Sequence, residues 1–105
     1  MEGIELVSFQ IIAAVGSARS YYIEAIQEAK NGNFERSLEL IKEGDKNFAE
    51  GHHAHAGLIQ KEANQEAIDV KLLLMHAEDQ LMSAEGFRMI AQEFVDVYKR
   101  FESLK

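Results

Sequence analysis

The chain has 105 residues, the size of one small domain, and with 47% hydrophobic residues it is not a disordered polymer. Its 18 acidic side chains outnumber 11 basic ones, and the net charge of −7 repels phosphate backbones, which argues against nucleic acid as a partner. Cysteine is absent, which excludes disulfides, thiolate metal sites and thiol nucleophiles; proline is absent too, which permits long unbroken helices.

The opening Met1-Glu2-Gly3-Ile4-Glu5 is acidic where a signal peptide is basic. No apolar run approaches the roughly 20 residues of a membrane span. A cytoplasmic protein with no membrane insertion is expected.

Helix one is predicted over 2–31. Ile4, Val7, Ile11, Ala14, Ala18, Tyr21 and Ala25 recur at alternating steps of three and four, the stripe of a helix packed lengthwise on a neighbour. It ends at Lys30-Asn31-Gly32-Asn33, where Asn31 and Gly32 suit a left-handed terminus and Asn33 suits the next N-cap. So short a turn sends helix two back antiparallel.

Helix two is predicted over 34–63. Its stripe reads Leu38, Ile41, Asp45, Phe48, His52, His55, Ile59 and Glu62, so four polar residues fall on a line that begins as core. Gly44, Gly51 and Gly57 each weaken the helix by about 1 kcal/mol relative to alanine. Residues 64–69 form the second turn, with Asp69 as the candidate N-cap of helix three over 69–103.

Helix three carries two stripes. One is Val70, Leu74, Ala77, Leu81, Ala84, Phe87, Ala91, Phe94, Tyr98 and Phe101; the other is Leu72, Met75, Asp79, Met82, Gly86 and Met89. At about 100° per residue they start on nearly opposite faces. Two partner helices cover only one face, so the second stripe predicts an oligomer with helix three at the seam. No internal repeat, low-complexity tract or linker is visible. The chain therefore reads as a single all-α domain over 1–105, an antiparallel up-down-up three-helix bundle.

The candidates for chemistry are His52, His53, His55 and His76. His52 and His55 share a helix face, and a metal site built on them with His76 is one reading; ordinary surface or seam histidines are the other. His76 has Asp79 at i+3 and Gln80 at i+4, in a Leu- and Met-rich setting suited to docking a partner. Asp79 is the odd residue of the Met stripe. In a cyclic assembly its copies converge near the axis, where they raise each other's pKa or recruit a hard cation such as magnesium.

At His76 the chain resembles a known family. The run Leu74-Met75-His76-Ala77-Glu78-Asp79-Gln80-Leu81-Met82 is similar to the active-site signature of the lactose/cellobiose-specific enzyme IIA component of the bacterial sugar phosphotransferase system. Gly16-Ser17-Ala18-Arg19-Ser20 resembles that family's helix-one element, and Asn31-Gly32-Asn33-Phe34 its first turn. The stretch through His52, Leu58, Ile59, Glu62 and Ala63 is similar to its second helix, so the resemblance spans essentially the whole chain.

The resemblance implies a homotrimer, a nine-helix bundle, with His76 as phosphoryl acceptor through its Nε2. It implies HPr as donor, a cysteine of the cognate enzyme IIB as acceptor, and a membrane enzyme IIC beyond that. It matches Asp79 to a metal-binding aspartate at the threefold axis, one cation per trimer. The sugar implied is a disaccharide such as lactose, cellobiose or chitobiose. The sequence departs at Gln80, where the family usually has a second histidine. Gln80 and Ser83 are the candidate donors to the phosphoryl oxygens. The motif itself holds no arginine, so positive charge is expected from the partners. The competing reading is a non-catalytic helical module that uses its Met-rich face to bind a partner.

Overall fold

The computed structural model describes residues 3–105. It has three helices, α1 (Gly3–Lys30), α2 (Phe34–Ala63) and α3 (Leu72–Ser103), running up, down and up in a rod of 58 × 23 × 19 Å. This is the all-α three-helix fold expected. The predicted helix-one start at Glu2 lies outside the described residues.

Both turns close their helices in the same way. Asn33 N–H donates to the Glu28 carbonyl at 2.9 Å and Gly32 N–H to Ala29 at 3.0 Å, with Gly32 left-handed at φ +81°. Glu66 N–H donates to Lys61 and Gln65 N–H to Glu62, both at 3.0 Å, with Gln65 at φ +65°. These are paired six-to-one and five-to-two terminators, which satisfy the last carbonyls of each helix.

Of the two predicted caps, Asn33 holds in position and Asp69 is corrected. Asn33 stands at the N-cap of α2, but its side-chain amide donates to Glu28 Oε2 at 2.8 Å and caps nothing. Asp69 is not the cap of α3, because Lys71 is extended (φ −117°, ψ 171°) and helical bonding begins only with Met75 N–H to the Lys71 carbonyl at 3.1 Å. Helix three therefore starts three residues later than its predicted start at 69.

α1 packs against both other helices, which touch one another far less. That position rotates its buried line. The buried residues are Ser8, Ile11, Val15, Ala18, Tyr22, Ala25 and Ala29, so Tyr22 replaces the expected Tyr21 as the core tyrosine. A helix flanked on two sides buries the bisector of its two contacts, and its most apolar stripe lies to one side of that bisector. Ser8 is tolerated there because its hydroxyl donates to the Ile4 carbonyl at 2.7 Å.

The line of α2 is also shifted. Ser37, Leu40, Ile41, Gly44, Gly51 and Leu58 are buried, whereas the expected Leu38 and Ile59 are exposed. Phe48 packs on both core clusters, one around Tyr22 and Leu40 and one around Ile11 and Leu81. On α3 the first stripe is buried at Leu74, Ala77, Leu81, Ala84 and Ala91, with Val95 in place of the exposed Phe94. The second stripe lies open: Leu72 is 80%, Met82 70% and Met89 60% exposed.

One polar cluster ties the three helices together. The Tyr22 hydroxyl donates to Asp45 Oδ1 at 2.7 Å, and Arg88 Nε donates to the same oxygen at 2.7 Å. Burial, then the hydrogen bond and charge of Asp45, push the Tyr22 phenol above its ordinary value near 10. In the unfolded chain the phenol ionises near 10, while in the folded one it stays neutral well above that. The stabilisation is thus complete below pH 10 and is lost as pH rises further. Tyr22→Phe is expected to lose this alkaline decline, read as a thermal midpoint that falls less steeply than wild type above pH 10.

Candidate functional site

His76 lies in the second turn of α3 and is exposed. At about 100° per residue, His76, Gln80 and Ser83 fall within about 60° of one another. Gln80 and Ser83 are half-buried, because this flank of α3 slopes from the open stripe toward α1. His76 thus stands on the border between the buried stripe and the open one.

α1 reaches across to this row. Arg19 Nη1 donates to Gln80 Oε1 at 2.7 Å and lies 3.4 Å from Ser83 Oγ. Arg19 is itself half-buried, and no carboxylate pairs with it among the described residues. The motif on α3 holds no arginine, as read from the sequence, but α1 supplies a guanidinium to both candidate phosphoryl-positioning residues, in addition to any charge from partner proteins. A signal for it existed. Arg19 is the only basic residue of α1 before its last residue, Lys30, and it sits one step from the buried Ala18.

Asp79 projects from the open stripe between Met75 and Met82 and is exposed in the single chain. Among the described residues no group of three or more His, Asp or Glu side chains is arranged to hold a metal ion. One chain therefore offers one hard oxygen donor at this position, and a complete cation site needs further copies of it.

The metal reading on His52, His55 and His76 is not supported, since these do not form a ligand group among the described residues. His52 stacks on Phe48 with ring centroids 6.1 Å apart, and His55 Nε2 pairs with Glu78 Oε2 across α2 and α3 at 2.7 Å. His53 is exposed on another face of α2. His52 and His55 thus have structural partners instead.

A model of the "PTS system, Lactose/Cellobiose specific IIA subunit" family matches residues 6–99. The chain belongs to this family. It is 35% identical over 99 residues to a lactose-specific EIIA component of Staphylococcus aureus, covering 94% of this chain and 96% of that one. The crystal structure of a cellobiose-specific enzyme IIA from Bacillus anthracis superposes with a TM-score of 0.93 at 38% identity, covering 98% of this chain and 95% of that one. A IIA(chitobiose) of the Escherichia coli phosphotransferase system, solved in complex with HPr, matches with a TM-score of 0.83 at 26% identity, over 97% of this chain and 99% of that one.

Family membership makes the chain a IIA component of a phosphotransferase system for sugar transport. No helix among the described residues is long and apolar enough to cross a membrane. His76, Asp79 and Gln80 all lie on the α3 turns just described, within the matched segment.

Proposed function

We propose that this IIA component carries a phosphoryl group on His76, taken from HPr and passed to a cysteine of its cognate enzyme IIB. The observation that carries the reading is an exposed imidazole beside Gln80 and Ser83, both held by Arg19. The solved complex of a related IIA with HPr supports the choice of donor.

The neutral Nε2 of His76 attacks phosphorus in line as the N–P bond of phospho-HPr breaks, and the leaving imidazole nitrogen keeps the bonding pair. In the second transfer the enzyme IIB thiolate attacks, the His76 N–P bond breaks, and the ring recovers its lone pair. Such transfers need positioning and spread positive charge more than covalent assistance from the protein. A hydroxyl of a disaccharide bound by the membrane enzyme IIC then attacks the phosphorus on enzyme IIB, the S–P bond breaks and the thiolate is regenerated; lactose, cellobiose and chitobiose are the candidate sugars.

The assembly proposed is a homotrimer. Leu72, Met75, Met82 and Met89 leave an apolar strip that the chain's own helices do not cover, and a second copy beside it would also flank His76. Three Asp79 carboxylates then meet near the axis. A magnesium ion shared by them, one per trimer, offsets their repulsion.

The test is label transfer. With enzyme I, HPr and labelled phosphoenolpyruvate, each chain is expected to take up one acid-labile, alkali-stable phosphoryl group and to release it to enzyme IIB. No uptake would leave a non-catalytic helical module as the reading.

Asp79→Leu tests the axial site separately. It extends the apolar strip and removes every buried carboxylate, so the trimer is expected to persist with equal or higher stability. Thermal unfolding of wild type should fall on adding chelator, while Asp79→Leu should not respond. A trimer lost on Asp79→Leu, seen by sedimentation, would show that the carboxylate makes a required contact.

A further inference from the structure

We propose that Arg19 is a positioning residue of the phosphoryl site, turning Gln80 and Ser83 into committed hydrogen-bond donors toward an anion on His76. The proposal rests on the phosphocarrier reading above, and goes beyond it by assigning a role to a residue of another helix.

The argument begins with the side chains' hydrogen-bonding inventories. A carboxamide presents a carbonyl oxygen and an N–H₂ group, and a hydroxyl both donates and accepts. Left alone, either group can turn its oxygen toward a phosphoryl oxygen, which repels it. A guanidinium only donates and is always charged. Facing Arg19, the Gln80 amide therefore has one acceptable orientation, with Oε1 toward Nη1 at 2.7 Å and its N–H₂ directed away. Ser83 Oγ, 3.4 Å from the same Nη1, accepts weakly and keeps its proton free to donate elsewhere. Two ambivalent side chains on the His76 row become donors by one contact from α1.

Charge points the same way. The chain carries 18 acidic side chains, yet among the described residues none pairs with Arg19. Among the described residues the only other arginine joined across helices, Arg88, is engaged with Asp45 through Nε at 2.7 Å and Nη2 at 3.3 Å. A half-buried guanidinium whose partners are neutral retains its positive field, and that field is felt by the turns of α3 that bear His76.

The experiment compares wild type, Arg19→Met and Arg19→Lys. Two quantities are read: the rate of phosphoryl uptake from phospho-HPr, and the pH midpoint of the second phosphoryl ionisation, followed by phosphorus NMR on phospho-His76. Arg19→Met is expected to slow uptake by about 10–100-fold, the usual effect of losing a residue that orients a direct contact. It is also expected to raise the phosphoryl midpoint by about half a unit or more, because a nearby positive charge favours the dianion. Altered packing alone would not move that midpoint.

In a chain already carrying Gln80→Leu and Ser83→Ala, Arg19→Met should slow uptake by clearly less than it does alone, since its two intermediaries are gone and only its field remains; an equal, additive slowing overturns the proposal. A wild-type rate or an unmoved midpoint in Arg19→Met overturns the proposal. If Arg19→Met loses its helical signal, Arg19→Lys decides: a single ammonium does not reproduce the planar fork, so slower uptake is expected and a wild-type rate overturns the proposal. Failure of the underlying reading looks different. There wild type itself takes no label, or takes it at another histidine, and both proposals fall; where wild type labels at His76 and Arg19→Met matches it, only the role of Arg19 falls.

Discussion

His76→Ala is expected to take up no phosphoryl group from HPr while remaining folded. The ring is exposed, so its removal deletes no core contact, and surface changes of this kind usually stay within about 0.5 kcal/mol of wild type. Alanine is also the better helix former. Chemistry is affected differently. Alanine has no lone pair to form the N–P bond, and neither Gln80 nor Ser83 supplies a nitrogen nucleophile of comparable strength. The expected outcome is loss of acid-labile label to background, with unchanged helical circular dichroism and oligomeric state. His52, His53 and His55 act as internal controls. If label persists on one of them, His76 is not the acceptor. His55 is the least suited, because its Nε2 is already committed to Glu78 at 2.7 Å.

The second large effect concerns stability and separates residues of one type. Gly44→Ala is expected to destabilise the chain by about 1–3 kcal/mol, the cost of overpacking a filled core. A Cβ at Gly44 would lie 2.6 and 2.9 Å from ring carbons of Tyr22, which is fully buried and hydrogen-bonded to Asp45 and so has nowhere to move. Gly51→Ala meets Val15 Cγ1 at 2.7 Å on the same seam and should act alike. Gly57→Ala meets nothing within 4 Å and should stabilise the helix by up to about 1 kcal/mol. Chemical denaturation of the three variants checks the signs. A stabilised Gly44→Ala would mean that the α1–α2 seam is looser than its geometry indicates.

These three glycines illustrate where sequence reading stops. In a string of residues each one is a cost to helix two, and nothing local distinguishes them. The difference arises because α1 approaches α2 closely at Gly44 and Gly51 but not at Gly57, a property of the pair of helices and of neither alone. The same holds for Tyr21 and Tyr22. Adjacent tyrosines are equivalent in composition, and only the position of α1 between two neighbours selects Tyr22 for the core.

Helix type, number and order, the terminator at Gly32 and the two-faced character of α3 follow from local chemistry and periodicity, so the sequence by itself determined them. It also offered His76 as one of four candidate histidines, set among leucine and methionine with Asp79 and Gln80 on its face, and the resemblance of that run to the family signature selected it. What only the tertiary structure decided are contacts between residues far apart in the chain. Arg19 lies 61 residues from Gln80 and 64 from Ser83, and Tyr22 is joined to Asp45 and through it to Arg88. Periodicity assigns each residue to a face of its own helix; it does not state which turn of the next helix stands opposite. That register is set by summed packing along whole helices, including the close approach at Gly44 and Gly51, and the cation beside the His76 row is one of its consequences.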